Sequence, residues 1–161
     1  MLIETERFGT FELADKKTLN FPNGIPGFEE LRSFILLETE ETKPLLWLQS
    51  VENKRIALPA VIPFELVSDY YVDVRESELE DLNLDAPEDL LVLCVVVIPE
   101  DVKKMTANLA SPIVINAKRG IGKQLVIDAA TLSLRYPIYD SIMEKLSGEG
   151  KANAGSVTQG R

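Results

Sequence analysis

Short runs of leucine, aromatic and β-branched residues recur along most of the chain, broken by polar, proline and glycine residues. "TLNF" (18–21), "SFILLE" (33–38), "LLWLQSV" (45–51), "RIALPAVI" (55–62) and "YYVDV" (70–74) each read as a strand. "LLVLCVVVI" (90–98) has no apolar–polar alternation. It reads as a central strand covered on both faces. "SPIVINA" (111–117) and "KQLVI" (123–127) flank "KRGIG" (118–122), the signature of a hairpin with a glycine in its loop. "LSLRY" (132–136) alternates again. Strand-like runs every 8 to 15 residues or so predict a sandwich or a barrel.

Helical signal is confined to two places. In "PIYDSIMEKL" (137–146), Ile138, Ile142 and Leu146 recur every four residues, and Pro137 suits a first helical turn. "SELEDLNL" (77–84) supports at most a turn of helix, since its leucines fit neither period. The pattern therefore predicts an all-β fold, one domain over 1–146, with a short C-terminal helix. The small, polar stretch 147–161 reads as a disordered tail.

Composition narrows the chemistry. The 161 residues include no histidine and one cysteine, Cys94. Ser-His-Asp and Cys-His catalysis, and imidazole-ligated zinc, are excluded. One cysteine cannot form an internal disulfide, and within an apolar run it reads as a small buried hydrophobe. The longest apolar run falls short of the roughly 20 residues that span a bilayer. The N-terminus shows no secretory signal pattern. A soluble cytoplasmic protein is expected, with no membrane association.

The net charge of −9 is unevenly spread. Residues 73–101 hold ten acidic and one basic side chain, whereas residues 102–161 hold nine basic and four acidic. Phosphate neutralisation needs Lys and Arg, so direct nucleic-acid binding is not expected of the whole. The basic region 103–123 leaves a local patch as an alternative. An acidic surface suits a basic partner.

"FPNGIPGFEE" (21–30) has two glycines beside two prolines. A phosphate loop needs Lys and Ser or Thr after its last glycine, but Gly27 is followed by "FEEL". The segment instead reads as a reversal between two strands. Pro22 and Pro26 fix φ, Gly24 and Gly27 permit positive φ, and Phe28 plugs the barrel end. The acid-rich segment lacks calcium-loop spacing. It reads as a solvated face, a docking surface for a basic protein, or the carboxylate pair of a hydrolase built on 76–89. Asn108, Asn116 and Gln124 can satisfy backbone groups at strand ends, and Trp47 reads as core. No cofactor loop or metal-ligand set is recognisable.

"FPNGIPGFEELRSFILL", "PLLWLQSVENKRIALPAVIPF" and "NLASPIVINAKRGIGKQLV", in that order and spacing, resemble the flagellar assembly factor family FliW. The resemblance covers roughly residues 1–145. It implies a small antiparallel β-barrel-like protein without catalytic activity or cofactor. It also implies two cytoplasmic partners, flagellin and the translational repressor CsrA, an RNA-binding protein. Factor freed by flagellin export would sequester CsrA, matching flagellin translation to assembly. On this reading Glu76, Glu78, Glu80 and Asp81 are the expected CsrA-docking residues. Flagellin's amphipathic terminal segments would meet an apolar groove or strand edge near Phe28, Asn108 and Ile113.

Overall fold

Strands with both faces apolar need two cores, and the architecture supplies them. The computed structural model describes residues 2–12, 17–72, 74–127 and 132–155, with side chains as far as 148. Eleven strands run in chain order among these residues. They are β1 (Leu2–Thr5), β2 (Gly9–Glu12), β3 (Thr18–Asn20), β4 (Ser33–Glu38), β5 (Leu46–Ser50), β6 (Ala57–Val61), β7 (Leu90–Val97), β8 (Thr106–Ala107), β9 (Ile113–Asn116), β10 (Ile121–Gln124) and β11 (Tyr136–Pro137). Helices α1 (Pro63–Leu66), α2 (Glu76–Leu79) and α3 (Tyr139–Gly155) complete the set, with short 3₁₀ turns between strands.

Seven strands close a barrel in the order β7-β6-β5-β4-β3-β10-β9, with β9 returning to β7. The neighbours are antiparallel except β3 and β10, a parallel contact at Asn20 and Ile121. Closure removes exposed sheet edges from the ring. β8 extends the same edge of β7 beyond β9, and β11 pairs with β8. β1 and β2 form a separate hairpin.

Alternation sorts each strand between two cores. Phe34 and Leu36 of β4, Leu48 of β5, Leu93 of β7 and Ile113 and Ile115 of β9 fill the barrel interior. Ile35 and Leu37, Trp47, Cys94 and Val96 point outward into a second core. That core is covered by Ile3 of β1, Ala107 of β8 and Ile142 of α3. "LLVLCVVVI" lacks alternation because Leu91, Leu93 and Val95 face the interior while Cys94 and Val96 face the outer core. Its expected place as a strand covered on both faces is realised.

The 21–30 reversal is also realised. Gly24 has φ +70° and Gly27 φ +92°. A Cβ on Gly24 would lie 2.6 Å from the Glu29 backbone, so the turn tolerates nothing larger. Phe21 is fully buried, edge-on to Phe34 with ring centroids 5.5 Å apart. The β9–β10 hairpin forms where "KRGIG" predicts it, with Gly120 at φ +72°.

Four expectations are corrected. "YYVDV" forms no strand among its described residues. Tyr70 instead turns inward and donates a hydrogen bond to the Leu109 carbonyl at 3.0 Å. "LSLRY" contributes only Tyr136 to a strand, and Pro137 belongs to β11 rather than a first helical turn, because it lies opposite Thr106 of β8 and the next N–H, that of Ile138, donates to the Met105 carbonyl. The helix begins at Tyr139 and extends to Gly155, past the expected boundary at 146. Residues 156–161 of the predicted tail lie outside the described residues. The β1–β2 hairpin was not anticipated.

Candidate protein-docking surfaces

The acidic segment folds back on the basic hairpin, so the two halves of the charge asymmetry meet. Glu76 and Glu78 lie on α2; Glu80 and Asp81 follow in a 3₁₀ turn that ends at Asn83 in the left-handed region, φ 55°. Leu82 is completely buried and packs with Val114 and Leu125. That small core explains leucines that fit neither period: they pin an irregular segment rather than line a helix.

Asn116 locks the contact. Its fully buried side chain donates to the Leu82 carbonyl at 2.8 Å and the Asn83 carbonyl at 3.1 Å. Its Oδ1 accepts from the backbone N–H of Lys118 at 3.0 Å and Arg119 at 3.1 Å. The expected role of Asn116, Asn108 and Gln124 at strand ends is seen at each position. Asn108 Oδ1 accepts from Ala110 N–H, and Gln124 donates to the Ser111 carbonyl.

Ion pairs reinforce the clasp. Asp85 meets Lys118 Nζ at 2.9 Å and Arg119 at 3.3 Å. The Lys118 hydrogen bond, followed by that of Arg119, holds the Asp85 carboxyl below the usual carboxylate range. Lys123 Nζ sits 3.1 Å from Asp81 and donates to the Glu78 carbonyl. The three cations of the hairpin are thus engaged by the acidic segment, which removes the geometric basis for reading them as an open phosphate patch. Glu76, Glu78 and Glu80 make no ion pair among the described residues, and Glu76 and Glu80 are exposed.

The second surface is an open groove of about 670 Å³ at one barrel mouth. Phe28, Leu58, Val95 and Val97 form its apolar lining, with Lys104 and Arg135 at the rim. Val97, Val126 and Leu134 are 63%, 76% and 63% exposed. This is a larger apolar patch than isolated surface residues produce. Phe28 is half-buried and packs on the barrel interior, in the plug position expected of it.

The seven residues expected to meet partners therefore separate. Glu76, Glu78, Glu80 and Asp81 cluster on one segment, and Phe28 and Asn108 line the groove together. Ile113 is 0% exposed and belongs to the barrel interior. Its contribution is packing, because its strand covers the interior. Val97, Val126, Lys104 and Arg135 were missed. Val97, Val126 and Arg135 fall in runs that read as strands and Lys104 in the basic region, and only closure of the barrel brings them beside Phe28.

No carboxylate lines the groove, so nothing there supports the hydrolase reading of 76–89. Among the described residues no group of three potential ligands is placed to hold a metal ion. No described helix is long and apolar enough to cross a membrane. Cys94 is fully buried, and burial pushes its thiol up to about 12. Its neighbour Tyr70 is likewise pushed up by burial.

These features define a small closed β-barrel carrying an acidic lobe clasped to one hairpin and an apolar groove at one mouth. The model of the FliW protein family matches residues 2–138, ending where α3 begins. Flagellar assembly factor FliW of Caldicellulosiruptor saccharolyticus is 37% identical over 141 residues, covering 88% of this chain and 92% of the relative. That of Clostridium tetani is 37% identical over 139 residues, covering 86% and 96%. The Alkaliphilus metalliredigens factor is 33% identical across 100% of this chain and 99% of its own. A crystal structure of the flagellar assembly factor FliW superposes with a TM-score of 0.79 at 29% identity, covering 86% of this chain and 97% of that one. The chain belongs to the FliW family of flagellar assembly factors.

Proposed function

We propose that this protein binds flagellin in the cytoplasm and antagonises the translational repressor CsrA, coupling flagellin translation to flagellum assembly. Family membership carries this reading. The geometry agrees with it by offering two chemically different surfaces. Glu76, Glu78 and Glu80 make no ion pair on a lobe where Asp81 and Asp85 are internally paired, leaving these three to meet a basic protein. The groove beside Phe28 and Asn108 matches the amphipathic terminal segments of flagellin. Antagonism by docking next to the RNA site needs no phosphate mimicry, only a fixed acidic lobe, and Asn116 fixes it.

The test is binding of purified CsrA to the protein and to the triple variant Glu76→Lys, Glu78→Lys, Glu80→Lys. Asp81 is left in place because Lys123 depends on it. The variant is expected to fold normally and to bind CsrA more weakly at low salt. Unchanged affinity at low salt rules out this lobe as the site.

A further inference from the structure

We infer that the groove selects an amphipathic helix with carboxylates along its polar flank, held by Lys104 and Arg135. This deepens the flagellin reading and rests on it only for the partner's name. Three observations carry it.

The first is a parting of the barrel wall. β6 and β7 pair only at Ala60 with Val95 and at Val61 with Cys94. Continuing that antiparallel register by two residues would set Leu58 opposite Val97. The two are not paired, and both line the groove. The gap exposes interior-facing side chains to an incoming apolar residue.

The second is charge. Seven described cations, Lys43, Lys54, Arg55, Lys118, Arg119, Lys123 and Lys145, lie in ion pairs with carboxylates. Lys104 and Arg135 are among the described cations that make no such pair, as are Arg7, Lys17, Arg32, Arg75 and Lys103, and they are the two that line the groove of this acidic chain. Two unpaired cations flanking an apolar groove on so acidic a protein favour an acidic occupant and repel a basic one.

The third is the backbone. Around the groove, the Val95 carbonyl accepts from Asn108 N–H, the Ala110 carbonyl from Ile127 N–H and the Ser111 carbonyl from Gln124. These three carbonyls are already taken and are not open to an added strand. That favours an occupant bound through side chains, which is how a helix sits in a groove.

The probe is a labelled amphipathic peptide of leucine and glutamate, about five turns long, beside its lysine counterpart and purified flagellin. Binding is read by fluorescence anisotropy. The glutamate peptide is expected to bind at least about tenfold more tightly than the lysine peptide at low salt, with the margin shrinking as salt rises. Lys104→Glu with Arg135→Glu should reverse that preference, an outcome that misfolding cannot imitate. Val97→Asp should weaken both peptides. Equal binding of the two peptides, or an unreversed preference, overturns the proposal. If the peptides show no such preference and flagellin still binds every variant as it binds the natural protein, the groove proposal falls and the flagellin reading stands. If the peptides behave as expected and flagellin binds none of the proteins, the flagellin reading falls and the groove proposal holds.

Discussion

Replacing Asn116 by alanine tests whether one side chain joins the acidic lobe to the barrel. Asn116 uses both donor hydrogens and two acceptor sites at once, on four backbone groups spread over two segments. Lys118 and Arg119 are exposed, so water replaces Oδ1 at their N–H groups with little loss. The Leu82 carbonyl is worse placed, since Leu82 is wholly buried, whereas Asn83 is exposed. A net hydrogen bond contributes about 1 kcal/mol, and a buried group left unpaired costs about 1–3 kcal/mol. Asn116→Ala should therefore destabilise by about 2–3 kcal/mol. For a chain of this length that lowers Tm by roughly 4–12 °C. Asn116→Asp should be worse at pH 7, because it keeps the acceptor and turns a second oxygen toward two carbonyls. Urea unfolding followed by circular dichroism measures both. A loss under about 0.5 kcal/mol for Asn116→Ala, or an Asn116→Asp variant as stable as the natural protein, refutes the reasoning.

Three further outcomes are expected. The folded Asp85 carboxyl titrates below its ordinary value of 3.8, so the stability its clasp adds is complete well above 3.8 and is lost as pH falls from there through the lower folded value. Urea midpoints of the natural protein and Asp85→Asn should differ above pH 5 or so and converge in strong acid. A gap that widens in acid contradicts the assignment. Gly24→Ala meets both positive φ and the Glu29 backbone, and should cost at least about 2 kcal/mol by thermal unfolding. Cys94, buried with its thiol pushed up to about 12, should resist Ellman's reagent at pH 8 until urea unfolds the chain. Rapid labelling of the native protein contradicts that placement.

Local pattern revealed the strands whose apolar residues are contiguous. "SFILLE", "LLWLQSV" and "LLVLCVVVI" are all strands, and the hairpin around "KRGIG" and the reversal at "FPNGIPGFEE" sit where glycine chemistry places them. Two kinds of feature escaped. "YYVDV" has strand composition, but Tyr70 finds a better partner in the Leu109 carbonyl, a tertiary contact that no window of sequence reports. β1 and β2 were passed over because a four-residue strand with two inward positions, Ile3 and Thr5, gives a faint alternation. The candidate surfaces divided in the same way. The acidic lobe is contiguous in sequence and was legible. Its pairing with Lys118, Arg119 and Lys123 was not, because opposite charges 33 to 42 residues apart meet only through the Leu82 core. The groove draws on β6, β7, the 21–30 reversal and residues near 126 and 135, and of its lining only Phe28 and Asn108 were expected to meet a partner.

The central claim is that one small barrel serves two partners through two different surfaces. Calorimetric titration of purified flagellin and purified CsrA into the natural protein, the Glu76, Glu78 and Glu80 lysine variant, and Val97→Asp tests it most directly. Both partners should bind the natural protein, the lysine variant should lose CsrA alone, and Val97→Asp should lose flagellin alone. Binding of neither partner to the natural protein, or loss of both through the same variant, contradicts the account.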